Sequence, residues 1–502
     1  MLQNIKIAVK NSLIYGIGNL VAKLVGFILL PLYTSRLSVA DYGTLSVLEI
    51  SSQLIISVFG FSLYQAFDRW YWDPELKNKQ KTLFFTIFTA LVVISSIMTS
   101  SLIVGAIPLS NLLFKDAKFA GLIKLIAFTS ALQIIAVLPM TLLKLQSRSV
   151  FYTVATLSQF TVNLVATVYF IAVLNQNVEG IYTAQIIGSV VYFIIITKYI
   201  LKNISIKYEW KVLKEMLVYS FPLMLSSISG IILMIADRFC LNFITGLSEL
   251  GVYSLGYKIA SSIRVLIVTS VQLAINPMIY QMMSRPNNKR FYSKLLTYFC
   301  FGITICVLGV SIFSREIVHL LALRNPDYWG AYKVIPILSF AVLLGMCKDT
   351  SLIGLNLSKK TKIIGLVTIV ISSLNILMNV VLISLLNSLG ASIAALLSNL
   401  LFFIIIYQHA QKYYFIPYEI KKIGLMICLA IVIYGISLVV FPIPVLLKQG
   451  IKLCLVCSFP IALFYADFYE PIEIQTIKGA WQKWRNPFNW KRNLSKSKFD
   501  NK

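Results

Sequence analysis

The chain has 502 residues, of which 58% are hydrophobic and 13% charged, and its mean hydropathy is +0.81. Soluble domains carry about 25% charged residues, so the composition excludes a soluble globular protein and indicates a polytopic membrane protein. A formal net charge of +26 would suit a nucleic-acid-binding protein, but the distribution of the basic residues along the chain argues against nucleic acid as a partner.

Fourteen apolar stretches, each near the ~20 residues that a bilayer core requires, predict an all-α chain of membrane-spanning helices. They lie at residues 11–33, 42–65, 83–106, 120–143, 151–173, 180–197, 217–240, 250–273, 295–314, 333–356, 363–386, 390–409, 423–441 and 450–467. The first stretch is too long for a signal-peptide core and lacks a small-residue cleavage site, so we expect it to remain as a helix.

The basic residues fall mainly on one side of the predicted spans. With the N-terminus inside, 31 of the 45 Lys and Arg residues lie in cytoplasmic segments, nine in outer loops and their edges, and five within spans. The positive-inside rule therefore predicts a multi-pass membrane protein with both termini in the cytoplasm. The excess of positive charge is mainly topological, with some attraction to anionic lipid headgroups.

The chain resembles itself after a shift of just over 200 residues. Residues 42–46 (YGTLS) align with residues 250–254 (LGVYS), and the fourth to sixth spans align with the tenth to twelfth. Six spans per unit predict two parallel repeats, which form two lobes around a central cavity. The predicted parts are an N-terminal lobe at 1–200, a cytoplasmic linker at 201–216, a C-terminal lobe at 217–410, two further helices at 423–467 and a basic cytoplasmic tail at 468–502.

Charged residues within the spans are the candidates for function, because every loop is too short for a catalytic domain. They are Lys23, Glu49, Asp237, Arg238, Lys258, Arg264, Lys348 and Asp349. Such residues are costly in lipid and persist where they face protein, water or a ligand. Six of the eight lie on spans one, two, seven and eight, which occupy matching positions in the two repeats and would meet at a central cavity.

A cationic cavity for an anionic substrate is the functional interpretation of these charges. Lys23 and Arg264 lie near the bilayer midplane without a nearby partner in sequence, so they are predicted to bind phosphate, together with Lys258. Internal pairing is the alternative for Asp237 with Arg238, and Lys258 would equally well extend toward the outer interface.

For the remaining candidates, the sequence allows both a functional and a purely structural interpretation. Lys348 and Asp349 are adjacent and would neutralise each other. Glu49 either balances Lys258 or takes up a coupling ion, H+ or Na+, and Asp237 is a second candidate for ion coupling. Tyr253 and Tyr257, four residues apart on one helical face, would stack on sugar rings or serve as interfacial anchors.

Patterns typical of enzymes are missing from the sequence. Neither His319 nor His409 has partners at metal-ligand spacing, and the chain shows no Ser/His/Asp or phosphate-loop pattern. We therefore expect a transporter rather than an enzyme, with no metal site and no cofactor apart from a coupling ion.

Three stretches resemble a known family. They are NSLIYGIGNLVAKLVGFILLPLYTSRLSVADYGTLS at 11–46, ADRFCLNFITGLSELGVYSLGYKIA at 236–260, and LNLSKKTKIIGLVTIVISSLNILMNVVLISLLNSLGASIAAL at 355–396. Over residues 8–410 the chain is similar to the Wzx-type polysaccharide-biosynthesis flippases of the multidrug/oligosaccharidyl-lipid/polysaccharide (MOP) exporter superfamily, whose fold is MATE-like. The motifs identify the family well and the substrate poorly.

The resemblance implies a two-lobed helical transporter that works by alternating access. It would move undecaprenyl-diphosphate-linked oligosaccharide from the cytoplasmic to the outer leaflet for O-antigen, capsule or exopolysaccharide assembly, alongside a polysaccharide polymerase and chain-length proteins. Cationic residues on the first and eighth spans hold the diphosphate in related flippases, and Lys23 and Arg264 match them by position. The residue on the first span is a lysine here, and a lysine does not bind a phosphate through two parallel hydrogen bonds as an arginine does.

Two other functions compete with the flippase. A MATE-like multidrug cation antiporter would have a carboxylate in the first span of a half, where this chain has Lys23. A polytopic polysaccharide polymerase or ligase would have a long basic outer loop, which the predicted topology does not contain.

Overall fold

The computed structural model of the protein describes residues 26–76, 78–283, 285–439 and 444–475. Lys23, most of the first predicted span and the end of the basic tail lie outside these ranges. By the density of their internal contacts, the residues form two units, Met1–Tyr418 and Glu419–Lys502. The further division of the first unit into two lobes at 201–216 stays a prediction from the sequence.

All the regular structure in the described residues is helical. In chain order the α-helices are α1 Leu30–Arg36, α2 Val39–Phe59, α3 Leu63–Trp70, α4 Gln80–Val104, α5 Ala106–Phe114, α6 Ala120–Leu145, α7 Ser149–Val168, α8 Val178–Lys202, α9 Trp210–Ile244, α10 Leu247–Ile263, α11 Thr269–Met282, α12 Asn288–Ile312, α13 Ser314–Leu321, α14 Ile335–Leu357, α15 Thr361–Tyr413, α16 Ile420–Leu438 and α17 Val445–Tyr465. The all-α fold class predicted from the sequence is confirmed.

Eleven helices in the described part of the chain are long and apolar enough to cross a membrane, so the protein is a multi-pass membrane protein. Two predicted spans, 363–386 and 390–409, both fall within α15, which turns at Asn387 with φ 50° and ψ −130°. The predicted total of fourteen spans includes the first, which lies largely outside the described residues, and stays a prediction.

The eighth predicted span is built from two helices. Neither α10 nor α11 alone has the 18 residues of a candidate span, but a π-helical turn at Arg264–Val268 joins them into one helical path. A π turn adds one residue to the local repeat and is frequent at functional sites, because it shifts the side chains that follow it around the helix. Here the turn begins at a charged residue.

A close crossing of α2 and α10 closes one end of the helix bundle. A Cβ atom on Gly43 would lie 2.0 Å from the carbonyl oxygen of Leu247, and a Cβ atom on Gly251 would lie 2.0 Å from the carbonyl oxygen of Val39. One turn further along, the hydroxyls of Ser46 and Ser254 are 2.8 Å apart. The contact is reciprocal. In the repeat alignment Gly43 corresponds to Gly251 and Val39 corresponds to Leu247, so the same two positions meet twice, once in each direction.

The same end of the bundle is sealed by the segment between α13 and α14. The Tyr328 hydroxyl donates to the carbonyl oxygens of Leu37 at 3.2 Å and Ser38 at 3.0 Å, just before α2 begins. The Tyr328 ring packs edge-on against Tyr42, and both side chains are buried. We call this set of contacts, together with the α2–α10 crossing, the seal. The predicted topology assigns it to the outer side of the membrane.

Candidate functional site

A cavity of about 770 Å³ lies between α2, α9, α10, α14 and α15. It begins next to the seal at Tyr42 and Ser46 and extends to Thr361, the exposed first residue of α15, at the other end. Four basic and two acidic side chains line it in the described residues: Arg238, Lys258, Arg264, Lys348, Glu49 and Asp237. All six are among the embedded charges that the sequence singled out.

Arg264, Lys348 and Asp349 form one group of charges, which we call the arginine cluster. Arg264 Nη2 lies 3.2 Å from Asp349 Oδ2, and Lys348 Nζ lies 2.7 Å from Asp349 Oδ1. The Arg264 side chain is 43% exposed, whereas the side chains of Lys348 and Asp349 are 14% and 17% exposed. Two cations therefore share one carboxylate, and the arginine is the most exposed of the paired charges in the cavity.

The local backbone holds the Arg264 guanidinium at the cavity wall. Arg264 is the first residue of the π turn, and its carbonyl oxygen accepts a hydrogen bond from the Thr269 hydroxyl at 3.0 Å. On the facing helix α14, a Cβ atom at Gly345 would come within 3.7 Å of Arg264 Nη1 and 3.0 Å of Asn399 Oδ1. A glycine at this position thus leaves room for the Asn399 side chain, and the Arg264 guanidinium lies beside α14 at ordinary contact distance.

The sequence counted Lys348 among the embedded charges, but it placed Lys348 in a self-neutralising pair with Asp349 and not among the residues predicted to bind phosphate. The structure shows that Asp349 is shared with Arg264, so it does not neutralise Lys348 alone. Lys348 Nζ also lies 4.8 Å from the centroid of the Phe402 ring, a cation–π contact that favours a positive charge at this place. The signal in the sequence was the position of Lys348 in an apolar span.

Glu49 on α2 and Lys258 on α10 form a second group of charges, nearer the seal. Lys258 Nζ lies 3.4 Å from Glu49 Oε1, and the two side chains are 27% and 36% exposed. Charge balance, one of the two roles predicted for Glu49, is therefore the arrangement seen in this conformation. The pairing leaves Lys258 less available to an anion than Arg264, although the sequence had proposed both for phosphate binding.

Asp237 and Arg238 are buried at the end of the cavity nearest the seal. The Tyr253 hydroxyl donates to Asp237 Oδ2, Arg238 Nε lies 3.8 Å from Asp237 Oδ1, and the Arg238 guanidinium lies 4.4 Å from the Tyr257 ring centroid. Tyr253 is fully buried, so in this conformation it has no free ring face for a sugar, contrary to the stacking role predicted for it. Tyr257 does line the cavity, but the guanidinium of Arg238 covers its ring.

Lys23, the other half of the predicted phosphate site, lies outside the described residues. Its pairing with Arg264 across the cavity stays a prediction. Within the described ranges, no group of three or more His, Cys, Asp or Glu side chains is arranged to hold a metal ion.

The sequence profile of the polysaccharide biosynthesis protein family matches residues 8–283, more than half of the chain. The protein belongs to this family. The match confirms the family resemblance, and it covers the first two of the three sequence stretches that suggested it; the third, at 355–396, lies beyond the match. A curated relative, the Lsg locus putative protein 1 of Haemophilus influenzae, is 26% identical over 282 residues. That alignment covers 54% of this chain and 66% of the relative, which is just under two thirds of its length.

Solved structures of transporters share the fold of this family member. A structure described as the lipid II flippase MurJ in an inward closed conformation superposes with a TM-score of 0.73 at 14% identity, covering 91% of this chain and 99% of that one. A multidrug resistance MATE family transporter of the MOP superfamily, in an inward-facing conformation, gives a TM-score of 0.65 at 13% identity, covering 79% and 97%. At these identities the likeness establishes the fold, which is the MATE-like fold that the sequence resemblance implied.

Proposed function

We propose that the protein is a flippase that moves a lipid-linked oligosaccharide from the cytoplasmic to the outer leaflet of the bacterial inner membrane. The observation that carries the proposal is the cavity, where Arg264 is 43% exposed and Lys348 stands beside it. An undecaprenyl-diphosphate group would bind these cations, since guanidinium and ammonium groups are the usual partners of phosphate oxygens. The lipid tail would remain in the bilayer beside the cavity.

Membership of the polysaccharide biosynthesis family supports this substrate class. The protein of similar fold described as a lipid II flippase supports it further. In this proposal the product serves O-antigen, capsule or exopolysaccharide assembly, and a polysaccharide polymerase and chain-length proteins act after it on the outer side. Both termini would lie in the cytoplasm, and the seal would face outward, so the cavity would receive its substrate from the cytoplasmic leaflet.

The balance of charges argues against a multidrug cation antiporter. Each carboxylate that lines the cavity in the described residues lies against a cation, Glu49 against Lys258 and Asp237 against Arg238. An organic cation would have to displace these partners in a cavity where four of the six described charged side chains are basic. An anion would compete with Asp349 for Arg264, but the Arg264 side chain is 43% exposed to the cavity. The MATE-like fold alone does not distinguish the two cargoes, because a fold hosts many functions.

Surface glycan display tests the proposal in cells. The Arg264→Ala variant should lose the lipid-linked glycan from the cell surface while its level in the membrane stays at the wild-type value. The matched control is Arg324→Ala, which removes an exposed arginine from the segment between α13 and α14. Full display by the Arg264→Ala variant would contradict a cationic cavity for lipid diphosphate.

A further inference from the structure

The Asp349 carboxylate occupies the place where an incoming anion would bind. Both of its oxygens are engaged, Oδ2 with Arg264 at 3.2 Å and Oδ1 with Lys348 at 2.7 Å. One negative charge thus spans two cations that come from different helices, α10–α11 and α14. The carboxylate orients the two side chains for a ligand and also competes with any ligand for them.

This competition depends on the charge and length of the ligand. Inside a bundle the effective dielectric constant is low, so a second anion beside Asp349 is strongly repelled unless both cations turn toward it. A monophosphate has one phosphoryl group with which to engage Arg264 and Lys348. A diphosphate has two linked phosphoryl groups, so it can engage both cations at once and release the carboxylate from both.

A side pocket lies beside Asp349 and can receive the released carboxylate. It has a volume of about 200 Å³, and its polar wall includes Gln272, Thr350 and Asn356 in addition to Asp349. Gln272 Nε2 is already 3.5 Å from Asp349 Oδ2, at the limit of a hydrogen bond. Asn356 lines both this pocket and the main cavity. A small rotation of the carboxylate toward Gln272 would therefore exchange ion pairs for an amide donor.

We infer that Asp349 is an exchangeable counterion which positions Arg264 and Lys348 and makes the site selective for lipid diphosphates over lipid monophosphates. In the empty cavity Asp349 bridges the two cations. When a diphosphate binds, its two phosphoryl groups replace the carboxylate, which turns into the side pocket toward Gln272. This inference rests on the proposed function and assigns to the same site a residue that sets its specificity.

The test compares binding of farnesyl diphosphate and farnesyl monophosphate to the purified full-length protein in detergent. The wild type should prefer the diphosphate. In the Asp349→Asn variant, the affinity for the monophosphate should rise roughly tenfold, because a close charge pair contributes a binding free energy of that order. The preference for the diphosphate should therefore shrink. Asp349→Glu should restore the preference, and Asp116→Asn, which removes an exposed carboxylate near the start of α6, should leave both affinities unchanged.

The outcomes separate the inference from the proposed function. If the wild type binds neither lipid, the proposed function fails and the inference fails with it. If the wild type prefers the diphosphate but Asp349→Asn loses affinity for both lipids, Asp349 is only structural and the inference alone is overturned. Should Asp349→Asn fail to fold, Gln272→Met removes the receiving amide instead. That variant should weaken diphosphate binding, and an unchanged affinity would equally overturn the inference.

Discussion

Gly43 and Gly251 let α2 and α10 touch backbone to backbone at equivalent points of the internal repeat. Each glycine lies against the first residue of the other helix, and a Cβ atom at either position would lie 2.0 Å from a carbonyl oxygen. No rotamer can relieve that overlap, because both partners in it are backbone or Cβ atoms. The closed seal therefore depends on the absence of a side chain at two matched positions.

Gly43→Ala should destabilise the sealed conformation. The expected cost is about 1–3 kcal/mol, typical of overpacking in a closely packed core, even though alanine favours helix. The purified variant should show a lower melting temperature. Gly302→Ala is the matched control, since nothing lies within 4 Å of the Cβ atom it would add. A Gly43→Ala variant as stable as Gly302→Ala would show that the helices separate at this point.

A cross-link between residues 46 and 254 should lock the seal. The hydroxyls of Ser46 and Ser254 are 2.8 Å apart, so paired Ser→Cys substitutions place two thiols within bonding reach. In a background whose seven native cysteines are replaced, oxidation should stop transport and reduction should restore it. A pair at Ser46 and Ser261, about two helical turns further along α10, should form no bond. Full transport by the oxidised 46–254 pair would exclude opening at the seal.

Glu49 and Lys258 should depend on each other for stability. Removing one member of a partly buried pair leaves an unpaired charge in the cavity wall, which costs more than removing both. Lys258→Met should therefore lower the melting temperature more than the double variant Glu49→Gln/Lys258→Met does. Additive losses in a double-mutant cycle would show that the 3.4 Å contact contributes nothing to stability.

If a carboxylate in the cavity binds a coupling H+ or Na+, we expect it to be Glu49 rather than Asp237. The Glu49 side chain is 36% exposed, whereas that of Asp237 is 7% exposed and accepts hydrogen bonds from the Tyr253 hydroxyl and the Arg238 amide. Transport by Glu49→Gln should lose its dependence on a proton or sodium gradient, measured in proteoliposomes. Unchanged gradient dependence in this variant would remove Glu49 from the coupling path.

The sequence predicted the charges of the cavity and offered most of their pairings, but it missed the partner of Arg264. Membrane spans follow from local hydropathy, and the repeat follows from the similarity of residues 42–46 to residues 250–254. These two segments lie on the helices that cross at the seal. The partner of Arg264 was not predictable in this way, because Asp349 lies 85 residues further along the chain and on another helix. Hydropathy gives the depth of a residue in the bilayer, but not the side of the helix it faces.

Tyr253 shows the same limit for aromatic residues. Its spacing from Tyr257 placed both tyrosines on one helical face, yet Tyr253 is buried against Asp237 and Tyr257 reaches the cavity. Spacing of four residues leaves a difference of about 40° around the helix, enough to separate a buried position from one at a cavity wall. The packing of α9 against α10 determines which of the two tyrosines is buried and which one reaches the cavity.

Translocation of a fluorescent lipid-diphosphate-linked sugar between the leaflets of proteoliposomes tests the central claim most directly. The wild-type protein should accelerate the appearance of this lipid in the opposite leaflet. Arg264→Ala and Lys348→Ala should each reduce the rate at least about tenfold, because each variant lacks one of the two cations that contact Asp349. Arg324→Ala should keep the wild-type rate. Equal rates for Arg264→Ala and the wild type would contradict the account.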